Sequence, residues 1–178
     1  MPVATVQNKV EMARMFAVHK HGSRRRSLDG AQTIAHLENV VAILKDHGHD
    51  AQDLLASAYL HDCLEDTDTT LQHLIVRFGN PIAELVFWLT DTYDGNRMSN
   101  ALKSAWRLSR APWDAKLIQM ADIVDNCRSI RLYDQAFAAS YLDEKRQVLR
   151  LMAEREGPAL MQLSLFQRAV AVTDLAER

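Results

Sequence analysis

One short segment concentrates groups that can bind a metal ion or move a proton. After an apolar run come His61, Asp62, Glu65 and Asp66. At about 100° per residue of a helix, these side chains fall within an arc of roughly 140° and share one face. Charged groups are seldom buried without compensation. The segment therefore predicts either an acidic face in solvent or a face that binds a cation.

Two other segments carry polar groups that could share such a cation. His36 opens an amphipathic helix directly before the one that holds His61, and a short connection can bring consecutive helices side by side. Asp122 lies in the middle of the apolar sequence KLIQMADIVDN, with Asn126 one turn later on the same side. Because a buried carboxylate without a partner is costly, we expect Asp122 to have one.

Imidazoles and carboxylates together suit a borderline-to-hard divalent ion, such as Mn²⁺ or Fe²⁺, better than a structural zinc. The candidate ligands are His36, His61, Asp62 and Asp122. Four protein ligands on a six-coordinate ion would leave positions for water and a substrate oxygen, as metal-assisted hydrolysis requires. Glu65 and Asp66, one turn beyond the ligands, could then transfer protons as catalytic residues. The alternative at this stage is a helical protein whose acidic face is solvated.

Helical periodicity runs through nearly the whole chain. Thr5 is the predicted cap of the first helix, the third helix is predicted to run unbroken from Asp50 to about Asp66, and the last covers about 158–177. No alternating strand, internal repeat, GxGxxG or GxxxxGK[ST] sequence is found. The prediction is an all-α fold, with residues 1–178 forming a single domain of about eight to ten helices.

Composition narrows the class of function. Of the 178 residues, 48% are apolar and 25% are charged, and the formal net charge is −2. This balance argues against a general nucleic-acid partner. No run of about 18 apolar residues and no signal-peptide pattern occurs, so we expect no membrane partner and a cytoplasmic location. Two cysteines without CxxC spacing indicate neither a disulfide framework nor a thiolate zinc site.

Taken together, these segments resemble the HD-domain superfamily of metal-dependent phosphohydrolases. Within it, the chain resembles in particular the hydrolase domain of RelA/SpoT proteins and the stand-alone small alarmone hydrolases. The resemblance extends over roughly residues 16–152 and is carried by His36 and by the segments LHDCLEDTDTTLQHLIVRFG, LVFWLTD and KLIQMADIVDN. It is the combination that is specific, because each element alone is common.

By position, the resemblance implies a manganese-dependent enzyme, or one that uses another divalent transition metal, which removes the 3′-pyrophosphate from guanosine tetra- or pentaphosphate. It makes the four candidate ligands the metal site, and it matches Glu65 and Asp66 to the pair that activates water. The substrate-binding positions that it implies are Arg24, Arg25, Arg26, Asn126 and Tyr141. Arg97 and Lys103, in and after the loop at Gly95, are further cations that a diphosphorylated nucleotide could use.

The sequence departs from the family beside the first metal-binding histidine. The family reads Gly-x-Pro-Tyr-Ile-x-His-Pro, whereas the chain reads GAQTIAHL over residues 30–37. The metal histidine is kept while a nearby wall of the pocket changes. The resemblance therefore predicts the metal chemistry more strongly than it predicts which substrate is bound. Two alternatives therefore stay open: an HD-family phosphohydrolase acting on another phosphorylated nucleotide or cofactor, and a catalytically silent helical binding module. The expected partner is a small phosphorylated nucleotide, and a homo-oligomer is compatible with the sequence.

Overall fold

The computed structural model describes residues 8–26, 30–91, 96–130 and 135–175, and these ranges form eleven helices. The helices are α1 Lys9–His21, α2 Thr33–Asp46, α3 Gln52–Leu60, α4 Cys63–Asp66, α5 Leu71–Phe78, α6 Asn80–Leu89, α7 Arg97–Arg110, α8 Trp113–Ser129, α9 Gln135–Glu156, α10 Pro158–Met161 and α11 Ser164–Leu175. Two of them, α4 and α10, are single turns of four residues. No strand forms within these ranges, where an isolated bridge pairs Arg25 with Gln32. The all-α prediction is confirmed.

The prediction of one unbroken helix up to Asp66 is wrong at its most polar point. Helix α3 ends at Leu60, His61 and Asp62 form a turn, and α4 begins after them. The His61 ring donates a hydrogen bond from Nδ1 to the carbonyl oxygen of Ala58 at 2.8 Å. Such a bond between a side chain and the backbone competes with the helical hydrogen bonds. The break places His61 and Asp62 at the end of a buried helix instead of along one of its faces.

Both ends of the chain also differ in detail from the sequence prediction. The predicted cap Thr5 lies outside the described residues, and α1 begins with Asn8 as its cap. The predicted last helix is divided, because α10 ends at Met161 and α11 begins at Ser164. The Ser164 hydroxyl lies 2.7 Å from Nδ1 of His47, which connects the start of α11 to the end of α2. None of the described helices combines the length and the apolar character that crossing a membrane requires.

The core is built where α2, α3 and α8 pack against one another. Every residue of α3 from Leu54 to Leu60 is buried. Eleven residues of α8 are buried, including Ile118 and Ile123 without measurable exposure. Protein cores are packed as densely as organic crystals, so side chains on these helices have little freedom to move. The predicted metal ligands lie on these helices or in the turn that directly follows α3, so the core positions them.

A buried ion pair connects α8 to α9. The Lys116 side chain is only 3% exposed, and its ammonium group contacts the carboxylate of Glu156, which is 26% exposed. An exposed pair, Arg150 with Glu154, lies within α9 at 3.2 Å. Removing one partner of a buried pair leaves an uncompensated charge, whereas an exposed pair contributes little.

We predict that Glu156→Gln lowers the free energy of unfolding by about 1–3 kcal/mol, because the buried Lys116 ammonium loses the carboxylate that it contacts on α9. Chemical denaturation followed by circular dichroism measures this change. The matched control, Glu154→Gln, should change the free energy of unfolding by less than about 0.5 kcal/mol. Equal effects of the two substitutions would show that the Lys116 pair contributes no more than a surface pair.

Candidate metal centre

Two histidines and two carboxylates converge between α2, α8 and the turn that follows α3. Nε2 of His36 lies 3.2 Å from Oδ1 of Asp122 and 3.9 Å from Oδ2 of Asp62. Nε2 of His61 lies 3.1 Å from Oδ1 of Asp62 and 3.8 Å from Oδ1 of Asp122. The two imidazole rings meet edge to face, with their centroids 5.4 Å apart. The structure thus brings all four predicted ligands together, and His36, His61 and Asp62 each offer one atom within 4.8 Å of the others.

Both histidines turn the same ring nitrogen toward the carboxylates. A carbonyl oxygen can only accept, so Nδ1 of His61 carries the proton that it donates to Ala58. Nδ1 of His36 donates to Oδ2 of Asp125 at 2.7 Å. In each neutral ring the lone pair is then on Nε2. Nε2 of His61 is buried and lies close to the carboxylates of Asp62 and Asp122, so these groups could bind one cation together.

In the absence of a cation, the site holds protons. Burial disfavours the charged form of His61, but the charge of Asp62 and a hydrogen bond with Asp122 outweigh it and raise the pKa to about 10. The pKa of His36 is also raised, because its bonds to carboxylates of α8 outweigh burial. Burial would raise the pKa of Asp122, yet the two imidazoles hold that pKa well below its usual value. His61 is therefore protonated at neutral pH until a cation replaces the proton.

The candidate ligands differ in how deeply they are buried. The side chains of His36 and His61 are 3% and 7% exposed, whereas those of Asp122 and Asp62 are 15% and 28% exposed. The imidazoles thus form the floor of the site and the carboxylates line its opening. Asp122 is the less exposed carboxylate, and it accepts hydrogen bonds from Asn126 at 2.7 Å and from Gln119 at 3.2 Å.

Three consecutive arginines beside the site have three different partners. The guanidinium of Arg24 donates to the backbone oxygen of Asp66 and, at 2.9 Å, to the Asp66 carboxylate. Arg25 is exposed and donates to the backbone oxygen of Gly30 at 2.7 Å. Arg26 is only 12% exposed and contacts two side chains of α8. Arg24 and Arg26 thus contact side chains of the predicted site: Arg24 contacts Asp66, and Arg26 contacts Asp125 and Asn126.

Glu65 and Asp66 lie on α4, directly after the turn that holds His61. Glu65 accepts a hydrogen bond from the backbone N–H of Asp91. The residue as a whole is exposed, yet burial of its carboxyl group by the surrounding protein raises the pKa to about 7. A group with this pKa can both accept and return a proton near neutral pH. Asp66 differs because its carboxylate is paired with Arg24.

The other predicted substrate-binding residues are placed as follows. The Tyr141 hydroxyl is buried, and burial together with the charge of Asp122 holds its pKa well above the usual value, so it stays a donor. Its ring stacks on Phe137, with centroids 6.3 Å apart. Lys103 is exposed on α7. Arg97 begins α7, but its side chain and the loop at Gly95 lie outside the described residues. The substrate-binding roles of Tyr141, Lys103 and Arg97 stay predictions.

Asp125 is a residue of the site that the sequence prediction did not include. It is 4% exposed and accepts the Nδ1 hydrogen of His36. One signal was present in the sequence, because Asp125 also interrupts the apolar face of α8, three residues after Asp122. The criterion that selected Asp122 would have selected Asp125 as well.

Comparison with known proteins identifies the class. The profile of the HD domain family matches residues 13–158, and the chain belongs to this family. The guanosine-3′,5′-bis(diphosphate) 3′-pyrophosphohydrolase of Aquifex aeolicus is 30% identical over 153 residues, which are 84% of this chain and 22% of that protein. The guanosine-3′,5′-bis(diphosphate) 3′-pyrophosphohydrolase MESH1 of Mus musculus is 34% identical over 118 residues, which are 65% of this chain and 65% of that protein. In Danio rerio it is 31% identical over 135 residues, 72% of this chain and 73% of that one.

Solved structures show the same fold. The structure reported under the heading "A metazoan ortholog of SpoT hydrolyzes ppGpp and plays a role in starvation responses" superimposes with a TM-score of 0.82 at 23% identity, covering 98% of this chain and 97% of that one. The crystal structure of lmo0812 from Listeria monocytogenes superimposes with a TM-score of 0.69 at 19% identity, covering 80% of this chain and 96% of that one. The predicted HD-domain helical bundle is thereby confirmed.

We predict that His61→Ala lowers the affinity for Mn²⁺ by at least about tenfold, because it removes a ligand from the floor of the site. Equilibrium dialysis of chelator-treated protein with Mn²⁺ measures the affinity. The matched control is His19→Ala, which removes an exposed imidazole from α1 and should leave the affinity unchanged. Equal Mn²⁺ affinity in wild type and His61→Ala would exclude this metal centre.

We also predict that Mn²⁺ binding at about pH 7 releases at least one proton per ion, because His61, with its pKa of about 10, must lose its proton to bind. The number of protons is obtained by calorimetric titration in buffers of different ionisation enthalpy. The slope of the observed enthalpy against the buffer enthalpy gives it directly. A slope of zero would contradict the assignment of His61 as a protonated ligand.

Proposed function

We propose that this protein is a metal-dependent hydrolase that removes the 3′-pyrophosphate of guanosine 3′,5′-bis(diphosphate), ppGpp. The observation that carries the proposal is the convergence of two inward-facing Nε2 atoms and two carboxylates in a chain of the HD domain family. The names of the relatives from Aquifex aeolicus, Mus musculus and Danio rerio support the choice of substrate.

The metal is assigned to His36, His61, Asp62 and Asp122. Their geometry supports this assignment, because His36, His61 and Asp62 each offer a donor atom within 4.8 Å of the others and Asp122 lies 3.2 Å from Nε2 of His36 and 3.8 Å from Nε2 of His61. Two imidazoles with two carboxylates suit Mn²⁺ or another divalent transition metal. When bound, such an ion polarises a phosphoryl oxygen and lowers the pKa of water.

Glu65 is assigned the proton transfer. Its pKa of about 7 is that of a group that can accept a proton from water and deliver it to a leaving group at neutral pH. The hydrogen bond from the backbone of Asp91 orients the carboxylate. Asp66 holds Arg24 beside the opening, so the two members of the acidic pair have different roles: Glu65 moves the proton and Asp66 positions a cation.

Substrate phosphates and base are assigned to the polar groups around the opening. Arg24 and Arg25 are exposed in the loop between α1 and α2, where guanidinium groups can bind phosphate oxygens or stack on a purine. The Tyr141 hydroxyl is a buried donor that interacts with Asn126 and Asp122. Asn126 lies beside Asp122. These groups provide both charge and hydrogen bonding for a diphosphorylated nucleotide.

A second candidate is hydrolysis of another phosphorylated nucleotide or cofactor. It is favoured by the segment directly before His36, where the family has Pro-Tyr and this chain has Gln32-Thr33. Gln32 is exposed and does not cap α2 with its side chain. The Thr33 hydroxyl is buried without a hydrogen bond. These free polar groups one turn from a metal ligand could recognise a different base or sugar.

A turnover screen of the manganese-loaded protein separates the two candidates. The panel holds ppGpp and other phosphorylated nucleotides, and the products are identified by mass spectrometry. We expect GDP and pyrophosphate from ppGpp. A loaded enzyme that ignores ppGpp and hydrolyses another nucleotide would overturn the proposed substrate, and a loaded protein without turnover would favour a binding module.

We predict that Glu65→Gln lowers the turnover number for ppGpp by about 10²-fold or more while Mn²⁺ content is unchanged, because the amide cannot accept the proton. Initial rates and metal analysis are measured on the same preparation. Glu84→Gln, an exposed glutamate on α6, is the control and should retain wild-type turnover. Wild-type turnover in Glu65→Gln would assign Glu65 to surface solvation.

A further inference from the structure

A closed ring of side chains connects Arg26 to two of the four proposed ligands. On one side, Nη1 of Arg26 lies 3.4 Å from Oδ2 of Asp125, and the same oxygen accepts the Nδ1 hydrogen of His36 at 2.7 Å. On the other side, Nη2 of Arg26 donates to Oδ1 of Asn126, whose Nδ2 donates to Oδ1 of Asp122 at 2.7 Å. The contact between His36 and Asp122, at 3.2 Å, closes the ring.

The ring is shielded from water. The side chains of His36 and Asp125 are 3% and 4% exposed, and that of Arg26 is 12% exposed. Hydrogen bonds are stronger where water is excluded, and members of such a network orient one another. Another arginine near the same carboxylate shows the contrast: Arg128 lies 3.6 Å from Oδ1 of Asp125, but its side chain is 55% exposed.

Donor and acceptor chemistry determines the orientation of the His36 ring and of the Asn126 amide. An ionised carboxylate only accepts, so Asp125 requires Nδ1 of His36 to carry the proton and leaves the lone pair of the neutral ring on Nε2. A guanidinium only donates, so Arg26 requires the amide oxygen of Asn126 to face it. The amide nitrogen must then face Asp122. One guanidinium thereby determines the orientation of two separate ligand side chains.

We propose that Arg26 and Asp125 are positioning residues of the metal centre, which set the proton position of His36 and the orientation of the Asp122 carboxylate. The inference rests on the proposed metal site, and it deepens it by replacing a substrate contact of Arg26 with a role inside the protein. Groups that orient metal ligands in this way commonly change metal affinity by 10- to 100-fold when they are removed, roughly the effect expected here.

Calorimetric titration of the folded, metal-free variants with Mn²⁺ tests the role of Arg26. Arg26→Gln should weaken Mn²⁺ binding by about tenfold or more, because the glutamine cannot hold Asp125 and Asn126 together. Arg128→Gln removes the same charge beside the same carboxylate and should change the affinity by less than about threefold. Unchanged Mn²⁺ affinity in Arg26→Gln, with a raised KM for ppGpp, would overturn the proposal and return Arg26 to substrate binding.

Nuclear magnetic resonance of ¹⁵N-histidine-labelled protein loaded with Zn²⁺, a diamagnetic probe, tests the role of Asp125. The Nδ1–H signal of His36 should be protected from exchange in wild type and in Asp125→Asn, whose amide oxygen can occupy the place of Oδ2. It should be lost in Asp125→Ala, together with about 10- to 100-fold in metal affinity. A protected Nδ1–H with wild-type affinity in folded Asp125→Ala would overturn the proposal.

These measurements keep two kinds of failure apart. Wild-type protein that binds neither Mn²⁺ nor Zn²⁺ would remove the proposed metal site itself. Wild-type protein that binds metal but does not hydrolyse ppGpp would remove only the proposed substrate. Circular dichroism and thermal unfolding establish that each variant is folded, and if Asp125→Ala does not fold, Asp125→Leu replaces it in both measurements against the isosteric Asp125→Asn.

Discussion

The rest of the structure depends on compensating the charges of the buried candidate metal site. The carboxylates of Asp62 and Asp122 both approach the Nε2 atoms of His36 and His61, and the imidazoles supply the charge that compensates them. The imidazoles can do so only while they are protonated or while a cation takes the place of their protons. The packing of α2, α3 and α8 around the four candidate ligands therefore depends on pairing opposite charges as well as on burying apolar side chains.

The local departures from regular structure serve the same constraint. The chain leaves the helix at His61, where the bond from its ring to the Ala58 carbonyl directs Nε2 inward. The guanidinium of Arg26 comes from the segment before α2 and supplies positive charge beside Asp125. Dense packing of the three helices around these groups keeps each of them in one orientation. The apolar packing thus keeps the hydrogen bonds of these polar groups in fixed positions.

The convergence of the four candidate ligands could be anticipated from sequence, because polar residues next to or within apolar segments stand out, as His61 and Asp62 do after Leu60 and Asp122 does within α8. The same is true of the helices, whose periodicity is local. What could not be predicted depends on contacts between distant segments: the different partners of Arg24, Arg25 and Arg26, and the turn at His61, where a side chain outcompetes the helix. The division between α10 and α11 is of the same kind, since α11 starts at Ser164, which contacts His47 at the end of α2.

The difference in depth between the candidate ligands bears on exchange kinetics at the proposed metal site. An ion arriving from solvent would meet the carboxylates of Asp62 and Asp122 first, because they are the more exposed pair, and would reach the imidazoles of His36 and His61 only afterwards. Its capture would depend on electrostatic attraction to the carboxylates, which weakens as ionic strength rises, and its final binding would require the loss of an imidazole proton. Loading and stripping of the proposed site would thus be two-stage processes, with salt controlling the first stage and acidity controlling the second.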